Sequence, residues 1–270
     1  MLKLRIFTAC VLGCLLLVVV FVLPPRWTVL AFGAVFTVGA WEWAAFGALR
    51  GAAARLGYAA CIAVLLLLGW NWTGNAANLM PLMAAACVWW AIAALWLTLA
   101  PSRHRATLTL LCGVPVLVPA FVAVARLQLA SRGRIHGPEI LFLLLLLVIG
   151  ADIGAFFAGR SFGRRKLAPR VSPGKTWEGA IGGLAAVALI AWAGAAYLGL
   201  PIGAGVAFGC AVGIFSIVGD LTESMFKRAA GLKDSGALLP GHGGMLDRID
   251  SVTAAAPLYA LGLFGSGVIA

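Results

Sequence analysis

Five of the chain's nine acidic residues fall within residues 219–251: Asp220, Glu223, Asp234, Asp247 and Asp250. The same stretch carries Lys227, Arg228, Lys233 and Arg248, together with His242 set among glycines. At 100° per residue, a helix through Asp220, Glu223, Ser224, Lys227 and Arg228 would present all five within about half its circumference. Asp247 and Asp250, three residues apart, would share a face of the next helix. Between them, Gly231, Gly236, Pro240, Gly241, Gly243 and Gly244 make a return rich in turn formers. Two acidic helix ends joined by such a return make a carboxylate cluster, and that cluster repels itself unless a cation fills it. Hard oxygen donors argue for Mg²⁺, which takes one or two carboxylates and completes its shell with substrate phosphates and water. Asp220 and Asp247 are the expected principal ligands, with Asp250 assisting. Lys227, Arg228 and Arg248 would offset charge developing on phosphate groups. Taken alone, the first of these helix ends reads more readily as an ordinary juxtamembrane helix with charge pairs one turn apart.

A second segment, residues 150–179, holds Asp152 inside an apolar run and then six cations, Arg160, Arg164, Arg165, Lys166, Arg170 and Lys175, with no acid until Glu178. An acid embedded in a membrane span is a functional candidate by default. Gly174-Lys175-Thr176 invites comparison with a phosphate-binding P-loop, but that motif needs a glycine where Pro169 stands and a strand before it. A P-loop ATPase is excluded.

The order Ser224-x-x-Lys227-Arg228, Lys233-Asp234, Pro240-Gly241-His242-Gly243-Gly244 and Asp247-Arg248-x-Asp250 closely resembles that of the phosphatidate cytidylyltransferases, or CDP-diacylglycerol synthases. Ser172-Pro173-Gly174-Lys175-Thr176-Trp177-Glu178-Gly179 resembles a second segment of that family, and Asp152 with Gly159-Arg160 the one before it. There the family usually has Asp-Thr-x-Ala-Tyr. This chain has Asp152-Ile153-Gly154-Ala155-Phe156, keeping the acid while losing a hydroxyl and a phenol. The resemblance implies Mg²⁺-dependent transfer of CMP from CTP to phosphatidate, with CDP-diacylglycerol and pyrophosphate as products. It implies catalytic roles for Lys227, Arg228, Asp247 and Arg248. Substrate contacts would come from Ser172, Lys175, Thr176, Ser224, Lys233, Asp234, His242, Gly243 and Gly244, with Asp152 and Glu223 as further candidates. A cytidylyltransferase acting on another lipid phosphate stays open, as does a transporter. Against a transporter, polar residues crowd one end of the last spans, and no repeat relates the two halves. A homodimer is compatible with the sequence.

These groups must be positioned by a very apolar chain. Of its 270 residues 63% are hydrophobic and 11% charged, about half the charge of a soluble domain. The expected fold is all-α and polytopic, one membrane domain with about nine transmembrane helices at 4–23, 27–48, 56–73, 79–99, 107–125, 138–158, 178–199, 201–218 and 252–269. Residues 1–137 would be general membrane spans, and 138–270 a catalytic helix block. With the N-terminus inside, 16 of the 20 Lys and Arg face the cytoplasm, so both charged segments are expected on the cytoplasmic side of the inner membrane. The cluster Arg126, Arg132 and Arg134 is the exception. The net charge of +11 is thus assigned to loops facing anionic lipid, not to nucleic acid. Gly205, Gly209 and Gly213, and Gly179 and Gly183, are spaced for close helix packing. Glu42 is an isolated acid in the second span, read equally as a functional group or as a paired structural acid.

Overall fold

The computed structural model describes residues 2–99, 105–238 and 243–269. Nine helices run through them: α1 (Leu2–Phe21), α2 (Pro25–Phe46), α3 (Ala52–Trp72), α4 (Ala76–Leu99), α5 (Ala106–Leu129), α6 (Gly137–Phe162), α7 (Trp177–Leu198), α8 (Ile202–Ala229) and α9 (Asp250–Gly265). Each overlaps an expected span. Seven of them, α2 to α8, are long and apolar enough to cross a membrane. The chain is an all-α membrane protein. α1 contributes a shorter apolar stretch, Cys10–Phe21, and α9 has 16 residues, fewer than the ~20 of a full crossing.

Large apolar side chains such as Leu30, Leu67, Leu95, Leu111, Leu189 and Trp192 face outward, as a lipid environment requires. α5 is the most enclosed helix, buried along Val116–Ala125. It forms a pillar against which α2, α3 and α9 pack. Proline starts α2 at Pro25, where its missing N–H costs nothing. Thr176 caps α7, its hydroxyl accepting from Gly179 N at 3.1 Å.

The small-residue spacing does what it promises. A Cβ on Gly183 of α7 would lie 2.7 Å from the Ala151 carbonyl oxygen of α6, and one on Gly213 of α8 would lie 3.1 Å from Val187 of α7. α6, α7 and α8 are therefore held backbone to backbone. The same applies where α8 meets α9: a Cβ on Gly219 would lie 2.6 Å from the Asp250 carbonyl oxygen. That approach brings the acids of the two helices together.

Two local expectations are corrected. The cationic segment after α6 is not a plain loop but an antiparallel hairpin, β3 (Lys166–Ala168) and β4 (Ser172–Thr176), with Lys166 opposite Thr176 and Ala168 opposite Ser172. Glu178 anchors it by accepting from the backbone N–H groups of Arg164 at 3.0 Å and Arg165 at 3.2 Å. Next, α9 starts only at Asp250. Residues Leu246–Arg248 form one turn of 3₁₀-helix, so Asp247 and Asp250 do not share an α-helical face. Arg126, in the last turn of α5, is held by partners of its own. It donates to the Trp70 carbonyl at 2.6 Å and stacks over the Trp70 ring, tying α5 to the end of α3. A second short hairpin, β1 (Ser131–Arg132) and β2 (Ile135–His136), follows α5. Arg132 donates from it to the Val268 carbonyl at 3.3 Å, tethering the chain just beyond α9.

Candidate active site

Asp152 on α6, Lys175 on β4 and Asp220 on α8 converge on a cleft of about 430 Å³. Its lining also includes Ala155, Phe156, Leu167 and Ile217, so charged and apolar side chains share one cleft. The hairpin turns Lys175 inward to an ion pair with Asp220. Ser224, one turn along α8, lies 3.5 Å from the other Asp220 oxygen, at the limit of a hydrogen bond. Asp152 is within electrostatic reach of Asp220, Lys175 and Arg248. Thr176 also lines the cleft, although its hydroxyl serves the α7 cap.

A second, buried network stands at the end of α8. Lys227 reaches Glu223 at 3.0 Å and Asp247 at 2.5 Å, bridging α8 to the 3₁₀ turn. Asp247 is bound on both oxygens: Oδ1 takes Lys227, and Oδ2 accepts from the backbone of Ser235 and of Gly244, each at 2.9 Å. Burial alone would raise this carboxyl, but the Lys227 ammonium and the donated amides outweigh it and hold the group below the ordinary carboxylate range. Asp247 is therefore ionised at neutral pH. The Ser235 hydroxyl, with one proton to give, sits 2.8 Å from Asp247 Oδ2 and 2.9 Å from Glu42 Oε2.

Glycines make this closure feasible. Gly243 adopts φ +79°, a left-handed conformation that costs glycine little, and a Cβ there would sit 2.8 Å from Asp247 Oδ2. A Cβ on Gly244 would lie 2.6 Å from Glu42 Oε1.

Other expected residues take different places. Arg228 is exposed and donates to the backbone carbonyls of Val171, at 3.3 Å, and Leu232, at 3.4 Å, joining the hairpin to the end of α8. Lys233 and Asp234 are exposed on the return, and Ser172 is half-buried within the hairpin. His242 lies outside the described residues. Three polar residues had no place in the expected site: Glu42, Ser235 and Glu178. The signal for Glu42 was its position as an acid inside an apolar span. For Ser235 it was adjacency to Asp234 in the charged return.

Whether these carboxylates suit a divalent ion is decided by the donor set. Glu223 is 2% exposed, and neither of its oxygens has a hydrogen-bond partner among the described residues, the Lys227 ion pair lying off hydrogen-bond direction. Asp250 lies within electrostatic reach of both Asp220 and Glu223. Yet among the described residues no three acidic, His or Cys side chains are grouped closely enough to hold a metal by themselves. Such a site fits an ion whose shell is completed largely by substrate oxygens and water, the usual habit of Mg²⁺. Asp247, expected as a principal ligand, has both oxygens engaged by Lys227 and the return, whereas Asp220 gives one oxygen to Lys175 and lies within electrostatic reach of Asp250.

Two bacterial proteins are similar to this chain along nearly its whole length. The phosphatidate cytidylyltransferase of Pseudomonas aeruginosa is 44% identical over 99% of this chain and 98% of its own. That of Haemophilus influenzae is 39% identical over 96% and 98%. A chloroplastic phosphatidate cytidylyltransferase of Arabidopsis thaliana is 52% identical over a shorter stretch, 38% of this chain and 27% of its own. The sequence model of the cytidylyltransferase family matches residues 3–264, which take in both the apolar-walled cleft and the Lys227–Asp247 network. With that match spanning almost every helix and two relatives aligned end to end, the chain belongs to the cytidylyltransferase family.

Proposed function

We propose that this enzyme transfers CMP from CTP to phosphatidate, giving CDP-diacylglycerol and pyrophosphate. The observation that carries the reading is the cleft itself, which is lined both by charged side chains, Lys175, Asp220 and Asp152, and by apolar ones, Phe156, Leu167 and Ile217. A lipid phosphate needs such a boundary, with its acyl chains against the apolar wall and its headgroup among charges. The names of the relatives support phosphatidate as the acceptor.

The chemistry is an exchange of one phosphoanhydride for another. A phosphate oxygen of phosphatidate attacks the α-phosphorus of CTP, the new P–O bond forms, and the bond to the β-phosphate breaks with its electron pair leaving on pyrophosphate. A phosphomonoester is substantially ionised at neutral pH, so no general base is required. The chain's task is positioning and charge neutralisation. Lys175 offers an ammonium in the cleft, and Arg248 lies within electrostatic reach of Asp152. Lys227 fixes Asp247, which in turn accepts from the backbone of Ser235 and Gly244. Asp220 and Asp250 are the residues that would hold Mg²⁺. Bound there, Mg²⁺ would neutralise triphosphate oxygens and stabilise the leaving pyrophosphate.

Purified protein in detergent, given CTP labelled at the α-phosphorus and phosphatidate, should place the label in lipid. The reaction should stop with EDTA, resume with added Mg²⁺, and run backward with pyrophosphate. Label recovered only in free CMP or CDP would make the protein a hydrolase and defeat the assignment.

The inner-membrane placement, with both charged segments in the cytoplasm, rests on the 16-to-4 division of Lys and Arg. A ninth crossing by α9 is supported by its ends: Asp250 stands at the site, while Val268 is held by the hairpin that follows α5. Single cysteines at Ser161 and Lys233, both exposed, should resist a membrane-impermeant thiol reagent in intact cells of a cysteine-free variant. Rapid labelling of both would reverse the topology.

A further inference from the structure

We propose that Glu42, on the second helix and roughly two hundred residues from the return in sequence, is a positioning residue that clamps the return in its working shape. The clamp lies at the boundary between the N-terminal spans and the site, where the family resemblance of residues 1–137 offered no chemistry. Glu42 is 5% exposed. Its Oε1 accepts from Met245 N at 3.0 Å, and its Oε2 accepts from Leu246 N at 2.7 Å. The Ser235 hydroxyl lies 2.9 Å from Oε2. One carboxylate thus engages both arms of the return, on either side of residues 236–244. Gly236 and Gly244 are pressed against this carboxylate so closely that a side chain at either position would collide with it.

The helix that carries Glu42 is anchored independently. Trp43 donates to the Thr109 carbonyl at 2.8 Å, and its ring stands 5.1 Å from that of Phe226 on α8. One turn before Glu42, Gly39 leaves room for Leu246 and Ile249 to pack on α2. The helix beneath the carboxylate is therefore anchored by contacts outside the return. What the carboxylate fixes is the pair of amides immediately before Asp247, and hence the direction from which Asp247 meets Lys227. Buried carboxylates earn such a position only with full hydrogen bonding, because a charge without partners in an apolar interior is strongly unfavourable. Here the partners all belong to the return.

This inference rests on the return's being part of the transfer site, so its test separates the two. Hydrogen–deuterium exchange on the wild-type protein should show the Met245 and Leu246 amides protected, whatever the reaction proves to be. Glu42→Gln keeps the volume but turns an NH₂ group toward backbone donors. It should speed exchange of those amides by at least roughly tenfold, since hydrogen bonds to charged groups have a net value near that factor or above. It should lower kcat for CMP transfer more than KM for CTP, because Glu42 does not line the substrate cleft. Glu42→Asp, which keeps the charge on a shorter stem, should recover part of both effects. Unprotected amides in the wild type, or wild-type exchange in Glu42→Gln, would overturn the clamp. Faster exchange with unchanged kcat would overturn its positioning role. Absence of CMP transfer in the wild type, with the amides protected, would defeat the proposed reaction and leave the clamp standing.

Discussion

Asp220→Asn is expected to lower CMP transfer by at least ~10²-fold, the loss typical of removing one well-placed electrostatic group from an active site. Asp220 stands in the cleft, paired with Lys175 and within reach of Asp152 and Asp250. An amide of the same shape can neither hold a divalent ion well nor keep the Lys175 ammonium in place. The fold should survive, because the Lys175 and Asp220 side chains are 29% and 24% exposed and partly solvated. A pair so placed contributes about 0–1 kcal/mol. The check is an initial rate at saturating CTP and Mg²⁺ beside a thermal unfolding curve of the same preparation. Near wild-type turnover would remove Asp220 from the pair proposed to hold Mg²⁺.

Lys227→Met should have the larger structural effect. Lys227 is the shared counter-ion of two carboxylates, Glu223 at 3.0 Å and Asp247 at 2.5 Å, and all three side chains are less than a tenth exposed. Removing the ammonium leaves two buried negative charges facing each other. Breaking a buried pair by deleting one partner costs about 3–5 kcal/mol. The thermal midpoint in detergent should fall clearly, and transfer should be lost as the return loses Asp247. Adding Glu223→Gln removes one of the stranded charges, so the double variant should recover part of the stability. Such non-additivity is expected for residues in one network. A single variant unfolding at the wild-type temperature would show that Lys227 does not hold the return.

The hydrophobic runs alone located the nine helices of the described residues, seven of them long and apolar enough to cross a membrane, because such a helix must satisfy its backbone internally and fill ~20 residues with apolar side chains. The spacing of Gly205, Gly209 and Gly213 indicated close packing, since what a missing side chain permits is local information. The concentration of Asp220, Glu223, Asp247 and Asp250 in one segment marked the site, because charge in an apolar chain needs a partner or a task. Other features became visible only once the chain was folded. The sequence showed which carboxylates were near one another but not which cation each would meet. Lys175 and Lys227 divide Asp220 from Asp247, and that division depends on how the β3–β4 hairpin and the 3₁₀ turn aim their side chains. Helical periodicity placed Asp247 on a face with Asp250, whereas in the fold Asp247 lies in a 3₁₀ turn, its carboxylate engaged by Lys227 and Ser235 from afar and by Gly244 locally. Glu42 is the clearest case. Its partners, Ser235, Met245 and Leu246, are adjacent only in three dimensions, and no rule of local spacing connects an acid on the second helix to amides roughly two hundred residues later.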